Sequence, residues 1–208
     1  GAKKHEKATD LNVNMISESE LLEMIKWLYM LSNIKLKIAN YFLSKETNID
    51  NRQADLIPLA KVKRIGVLFD AKSEDAIVQI KLLLKYFLKK NIDVEILGFV
   101  RDVKMDTCHL STLHINYFNL KDVNLIGVPK SKKTNDFLIK PYDILINLSL
   151  ENSFATKYLS FKSNAKLKIG MFSNQDIMKY DLLFKLKIKS LNYFIEQLTH
   201  YLELINKN

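Results

Sequence analysis

The chain has 208 residues, 48% hydrophobic and 26% charged, an ordinary globular balance that excludes disorder of the whole chain and fits one principal domain with an appended element. Its formal charge of +9 invites a nucleic-acid reading, yet only three of its 32 basic residues (Arg52, Arg64 and Arg101) carry the planar fork that phosphate and base recognition favour. One cysteine, Cys108, excludes an intrachain disulfide framework, and no apolar run nears the roughly 18 residues of a membrane span. A soluble cytoplasmic protein is expected, with nucleic acid a disfavoured partner.

Gly1 stands where methionine would open a natural chain and is left out of the fold reasoning. From Ser17 to Ser44 the apolar residues Leu21, Met24, Ile25, Leu28, Leu31 and Ile34 recur three or four apart, which predicts a helix. Trp27, Tyr29 and Met30 widen its apolar face, so it must cover something: its own domain, or a second copy in a homodimer. Residues 45–60 read as a polar linker, which gives an N-terminal helix and linker over 1–60 and one domain over 61–208.

Arg64 to Phe69 is a continuous apolar run, the signature of a strand buried on both faces. Ser73 to Lys90 follows as an amphipathic helix with Ile77, Ile80, Leu84, Phe87 and Leu88 inward, and Ile92 to Val100 as a second strand. Joints this short predict a parallel βαβ unit. Further strands are expected at Thr112–Phe118, Tyr142–Leu150, Ala165–Phe172 and Asp181–Ile188, with "GVPKSKKTND" (127–136) as a basic loop. Asn152 or Ser153 opens a short helix to about Phe161, and Ser190 opens the last one. The alternation predicts an α/β fold: a doubly wound, mostly parallel sheet of five or six strands in three layers, with an added N-terminal helix.

The first strand runs into chemistry-bearing residues at "RIGVLFDAKSED" (64–75). A dinucleotide or P-loop site needs glycines there so that backbone N–H groups can approach phosphate, and this turn has none. Asp70, Glu74 and Asp75 are too few for a phosphatase magnesium site of the haloacid type, because Lys72 replaces the second aspartate. Ser73 as an N-cap and Glu74 and Asp75 against the positive helix end account for the pattern, so Asp70 reads as a strand-to-helix corner and no catalytic residue is assigned. Cys108, His109 and His114 offer a thiolate and two imidazoles but no nearby fourth ligand, so neither a metal nor a cofactor is expected.

Two surfaces remain as candidates. Asp70, Asn147, Ser149, Glu151 and Ser173 lie at predicted strand ends, the carboxyl edge where open α/β sheets bind ligands. Lys166 and Lys168 alternate along the fifth strand and Lys185, Lys187 and Lys189 along the sixth, so neighbouring strands would bring up to five ammonium groups to one face. That face is either edge protection or a docking surface for RNA or an acidic partner.

The stretches "IGVLFDA" (65–71), "VEILGFV" (94–100), "GVPK" (127–130), "YDILINL" (142–148), "SNAKLKIG" (163–170) and "YDLLFKL" (180–186) resemble an uncharacterised bacterial family of small Rossmann-like proteins. The resemblance covers roughly residues 57–206 and implies the fold without any catalytic residue. "DILINLSL" through "AKLKIG" is more weakly similar to the acceptor-side, N-terminal half of heptosyltransferase-type glycosyltransferases, whose donor half has no counterpart here. The expectation is a non-catalytic binding or scaffold module with a protein partner. The alternatives are a sugar- or nucleotide-binding enzyme working at the carboxyl edge, and a basic RNA- or ribosome-associated factor.

Overall fold

The computed structural model of the chain describes residues 19, 20, 22, 23, 26 and 56–205, apart from 152 and 175–178. The chain divides into two compact units, Gly1–Ile38 and Ala39–Asn208. In the first, Ser19, Glu20, Leu22, Glu23 and Lys26 are helical and exposed. The remainder of the predicted N-terminal helix, its apolar face and the dimer contact assigned to it lie outside the described residues.

The second unit is an α/β sandwich. Six strands, β1 (Arg64–Asp70), β2 (Asp93–Val100), β3 (Ile115–Asn119), β4 (Ile144–Asn147), β5 (Leu167–Met171) and β6 (Leu182–Phe184), form one sheet of order β3-β2-β1-β4-β5-β6. Every pairing is parallel, where the sequence predicts a mostly parallel sheet. Helix α1 (Glu74–Leu88) packs with α4 (Leu191–Ile205) on one face, and α2 (Lys132–Ile139) with α3 (Phe154–Lys162) on the other.

Burial on both faces explains the unbroken apolar runs. In β1, Val67 and Phe69 join the core under α1 and α4 while Leu68 joins the one under α2 and α3. Successive side chains of a strand point to opposite faces, so a two-sided core demands apolar residues at both parities. Between α1 and β2, Asn91 takes the left-handed conformation at φ 59°, which asparagine tolerates and which turns the chain within the four residues 89–92.

The predicted boundaries shift at several places, and β4 keeps only Ile144–Asn147 of the expected Tyr142–Leu150. The supposed basic loop (127–136) runs into α2, which begins at Lys132; the first turn of this helix is polar and its buried side chains are Thr134 and Phe137. The third strand starts at Ile115, because Thr112 turns the chain: its N–H donates to the Ile115 carbonyl and its hydroxyl accepts from the Ile115 N–H. The sixth strand stops at Phe184, although "FKLKIK" alternates onward as a strand would. An edge strand has a partner on one side only, and beyond Phe184 the chain leaves β5 to reach α4.

Candidate functional site

In this strand order the chain leaves β1 toward β2 on one side and β4 lies on the other. The carboxyl ends of β1 and β4 therefore border the crevice in which doubly wound sheets bind ligands. Leu68 is paired with Asn147, and continuing that register brings Asp70 level with Ser149.

At the end of β1 the turn is built locally. Ser73 accepts a hydrogen bond from the Ala76 N–H at 3.2 Å and caps α1, with Glu74 and Asp75 in the first turn. Such a cap contributes about 1 kcal/mol and accounts for the corner without a ligand. It does not account for Asp70, which is only 7% exposed and whose two carboxylate oxygens accept no hydrogen bond. Ser149 is close, but its hydroxyl donates to Thr156 Oγ1 at 3.0 Å. Arg101 Nη2 stands 3.7 Å from Asp70 Oδ1, too far for a hydrogen bond. Burial pushes the Asp70 pKa up, against the opposing pull of Arg101, Lys72 and Ser149.

Above Asp70 the loops after β1, β2 and β4 are tied together. Glu151 pairs with Lys72, and its other oxygen takes Arg101 Nη1 at 2.8 Å. Two cavities of about 240 Å3 each share Leu150 as a wall. One lies between the first turns of α1 and α4 and is lined by Asp70, Lys72, Asp75, Gln79, Leu148 and Leu191, among others. The second holds Asn147, Ser149, Glu151 and Ser173, with Lys157, Tyr180 and Lys189.

The five strand-end residues singled out from the sequence thus gather at one edge but divide between two chambers. Asn147 is committed to its surroundings: Nδ2 donates to Tyr180 Oη at 2.8 Å and Oδ1 accepts from the Ser149 N–H at 3.1 Å. Lys72, Gln79, Arg101 and Tyr180 escaped the sequence reading. Arg101 sits one residue and Lys72 three past a predicted strand end, and Gln79 one turn beyond Asp75 on the predicted helix, so these were legible by position; Tyr180 reaches the site only through the packing of a distant segment.

The five lysines do not share a sheet face. Lys168 is interior, its Nζ donating to the Phe161 carbonyl at 3.0 Å, because β5 is buried on both sides. Lys166 lies at the amino edge and pairs with Asp143 at 2.8 Å. Lys185, Lys187 and Lys189 follow the end of β6 and are exposed, with Lys185 Nζ 6.0 Å above the Phe172 ring. The Cys108, His109 and His114 trio is also divided. His114 faces the amino edge, where Nδ1 meets the Val94 carbonyl at 2.9 Å. His109 is at the carboxyl edge, with Nδ1 accepting from the Asp106 N–H at 3.1 Å and Nε2 donating to the Ala71 carbonyl at 3.1 Å. Asp106, Cys108 and His109 do cluster tightly enough to hold a metal ion, but both imidazole nitrogens are already used.

A six-stranded parallel sheet in this order, with its crevice open between β1 and β4, defines a Rossmann-like α/β protein. The chain belongs to the family described as Family of unknown function (DUF6913), whose model matches residues 35–205. No curated protein and no solved structure matches it.

Proposed function

We propose that this chain is a non-catalytic binding module that holds a small molecule in the crevice between β1 and β4. The observation that carries the reading is Asp70, a buried carboxylate that accepts no hydrogen bond and lines a cavity at that crevice. Buried polar groups are almost always satisfied, and an unsatisfied one costs about 1–3 kcal/mol, more when charged. A cost of that size at a ligand-binding edge is what a site left open for a partner group carries.

The reading of binding without catalysis rests on how the reactive groups are used. Glu151 is held by Lys72 and Arg101, and the His109 nitrogens are engaged by backbone, which leaves Asp70 without either of them as an acid–base partner. Each chamber is smaller than the roughly 300–1,000 Å3 of a drug-sized site, and the glycine-free turn after β1 lacks a phosphate cradle. Both features point away from a dinucleotide and toward a compact ligand.

Titration of the 15N-labelled protein with a set of cationic, neutral and anionic fragments tests this. The amides of residues 70–79 and 148–151 are expected to shift together with at least one fragment class. Shifts confined to other regions, or none at any fragment charge, overturn the reading.

A further inference from the structure

The chamber that contains Asp70 is unbalanced in its hydrogen-bonding groups. Besides both oxygens of Asp70, Gln79 Oε1 is buried and without a hydrogen-bond partner; Gln79 Nε2 is used, donating to Asp75 Oδ2 at 2.6 Å. Three buried acceptor atoms on one lining therefore want donors. Lys72, the cation of that lining among the described residues, is drawn to Glu151, and Arg101 makes its short contact to Glu151 as well, its Nη2 staying 3.7 Å from Asp70 Oδ1, within ion-pair range but beyond hydrogen-bond reach. The N-terminal turns of α1 and α4 also border the chamber, but Ser73 and Ser190 cap them, and Glu74 and Asp75 oppose the α1 dipole. The opposite wall is apolar, formed by Leu148, Leu150 and Leu191.

Resting on the binding reading above, we infer that the ligand is an organic cation, an ammonium or guanidinium group on a short apolar stem, with its head at Asp70 and Gln79 and its stem against the leucines. A cationic donor meets a buried carboxylate with charge-assisted hydrogen bonds about twice as strong as neutral ones. An anion would face Asp70 and Asp75 directly. A divalent metal fits poorly, because the tight clustering of three ligating side chains occurs, among the described residues, at Asp106, Cys108 and His109 and not here.

Four probes of one shape separate these chemistries: n-butylammonium and n-butylguanidinium against n-butanol and butyrate, each titrated into the labelled full chain, with Mg2+ as a fifth. The two cations are expected to shift the amides of residues 70–79 and 148–150, and Asp70→Asn to weaken their binding roughly tenfold or more. Asp75→Asn, at an exposed position, is expected to weaken it less, and the amide spectrum of each variant reports its fold directly. If butanol, butyrate or Mg2+ moves those amides and the cations do not, the cation assignment falls while the site stands. Cation binding unchanged by Asp70→Asn also overturns it. If no probe and no fragment of any charge moves them, both readings fall.

Discussion

Asp70 and Asp143 stand at opposite edges of the same sheet, one closing β1 and the other preceding β4, and their surroundings drive their pKa values apart. Burial raises Asp70 and outweighs the pull of Arg101, Lys72 and Ser149. Burial also raises Asp143, but hydrogen bonds from Lys166 Nζ, the Lys63 N–H and the Arg64 N–H outweigh it and hold its carboxyl below the usual range. The two therefore contribute to stability with opposite sign. With its folded pKa above the unfolded one, Asp70 weakens the fold at neutral pH, and the penalty is relieved as pH falls through the folded value. With its folded pKa below the unfolded one, Asp143 stabilises fully above the unfolded value, and its contribution is lost as pH falls through the folded value. In urea melts at pH 7, Asp70→Asn is expected to gain about 1 kcal/mol, as replacements of functional residues commonly do. Asp143→Asn is expected to lose about 1–3 kcal/mol, with that difference shrinking as pH falls below the usual carboxylate range and through the folded value. A loss for Asp70→Asn would show that its carboxylate is structural.

Among the elements, β5 shows how the sheet shapes the second chamber. A methyl group on Gly170 would come within 2.7 Å of Tyr180 Cε1 and 2.8 Å of Cζ, so the bare backbone is what lets that ring lie flat over the strand. Tyr180 in turn takes the Asn147 amide and packs edge-on to Phe161 at 5.3 Å. Gly170→Ala is expected to cost about 1–3 kcal/mol by overpacking and to shift the Asn147 side-chain amide resonances, whereas Tyr180→Phe should shift the same resonances at about 1 kcal/mol. Spectra in which the two variants leave Asn147 untouched would break the proposed link. Elements such as β1 and β2 were readable because two-sided burial writes itself as an unbroken apolar run. Helix α2 was not, because only Thr134 and Phe137 of its eight residues are buried and a face that narrow leaves no periodicity. The end of β6 was misread for the converse reason: Leu186 packs inward and the lysines around it point outward, a period of two produced by an extended segment outside the sheet.

At the scale of the whole molecule, the charge of +9 does not gather into the five-lysine face that the sequence suggests. Lys166 and Lys168 are drawn into the fold by Asp143 and the Phe161 carbonyl, so the surface left from the predicted patch is the run from Lys185 to Lys189. On an immobilised nucleic-acid column, Lys185, Lys187 and Lys189 changed together to Gln are expected to lower the eluting salt concentration no more than the exposed Lys81 and Lys85 of α1 and Lys89 at its C-cap, changed likewise. A markedly larger drop for the first set would restore a specific basic surface. The crevice itself was legible in part: strand ends can be read from pattern, and the switch between β1 and β4 follows once the order of strands is known. Which of Asp70, Asn147 and Ser149 is satisfied was not legible, since aspartate, asparagine and serine serve equally as caps, turn formers and ligands. That distinction appears only when Thr156 and Tyr180, far along the chain, supply partners to two of the three.

The tie of Lys72 and Arg101 to Glu151 sets a time scale as well as a shape. Its members are each roughly two-fifths exposed, and ion pairs of that kind are weak, about 0–1 kcal/mol, and screened by salt. Loops joined so lightly part and rejoin quickly without disturbing the sheet beneath. Rising ionic strength is therefore expected to loosen the loops after β1, β2 and β4 from one another while the strands that carry them keep their register.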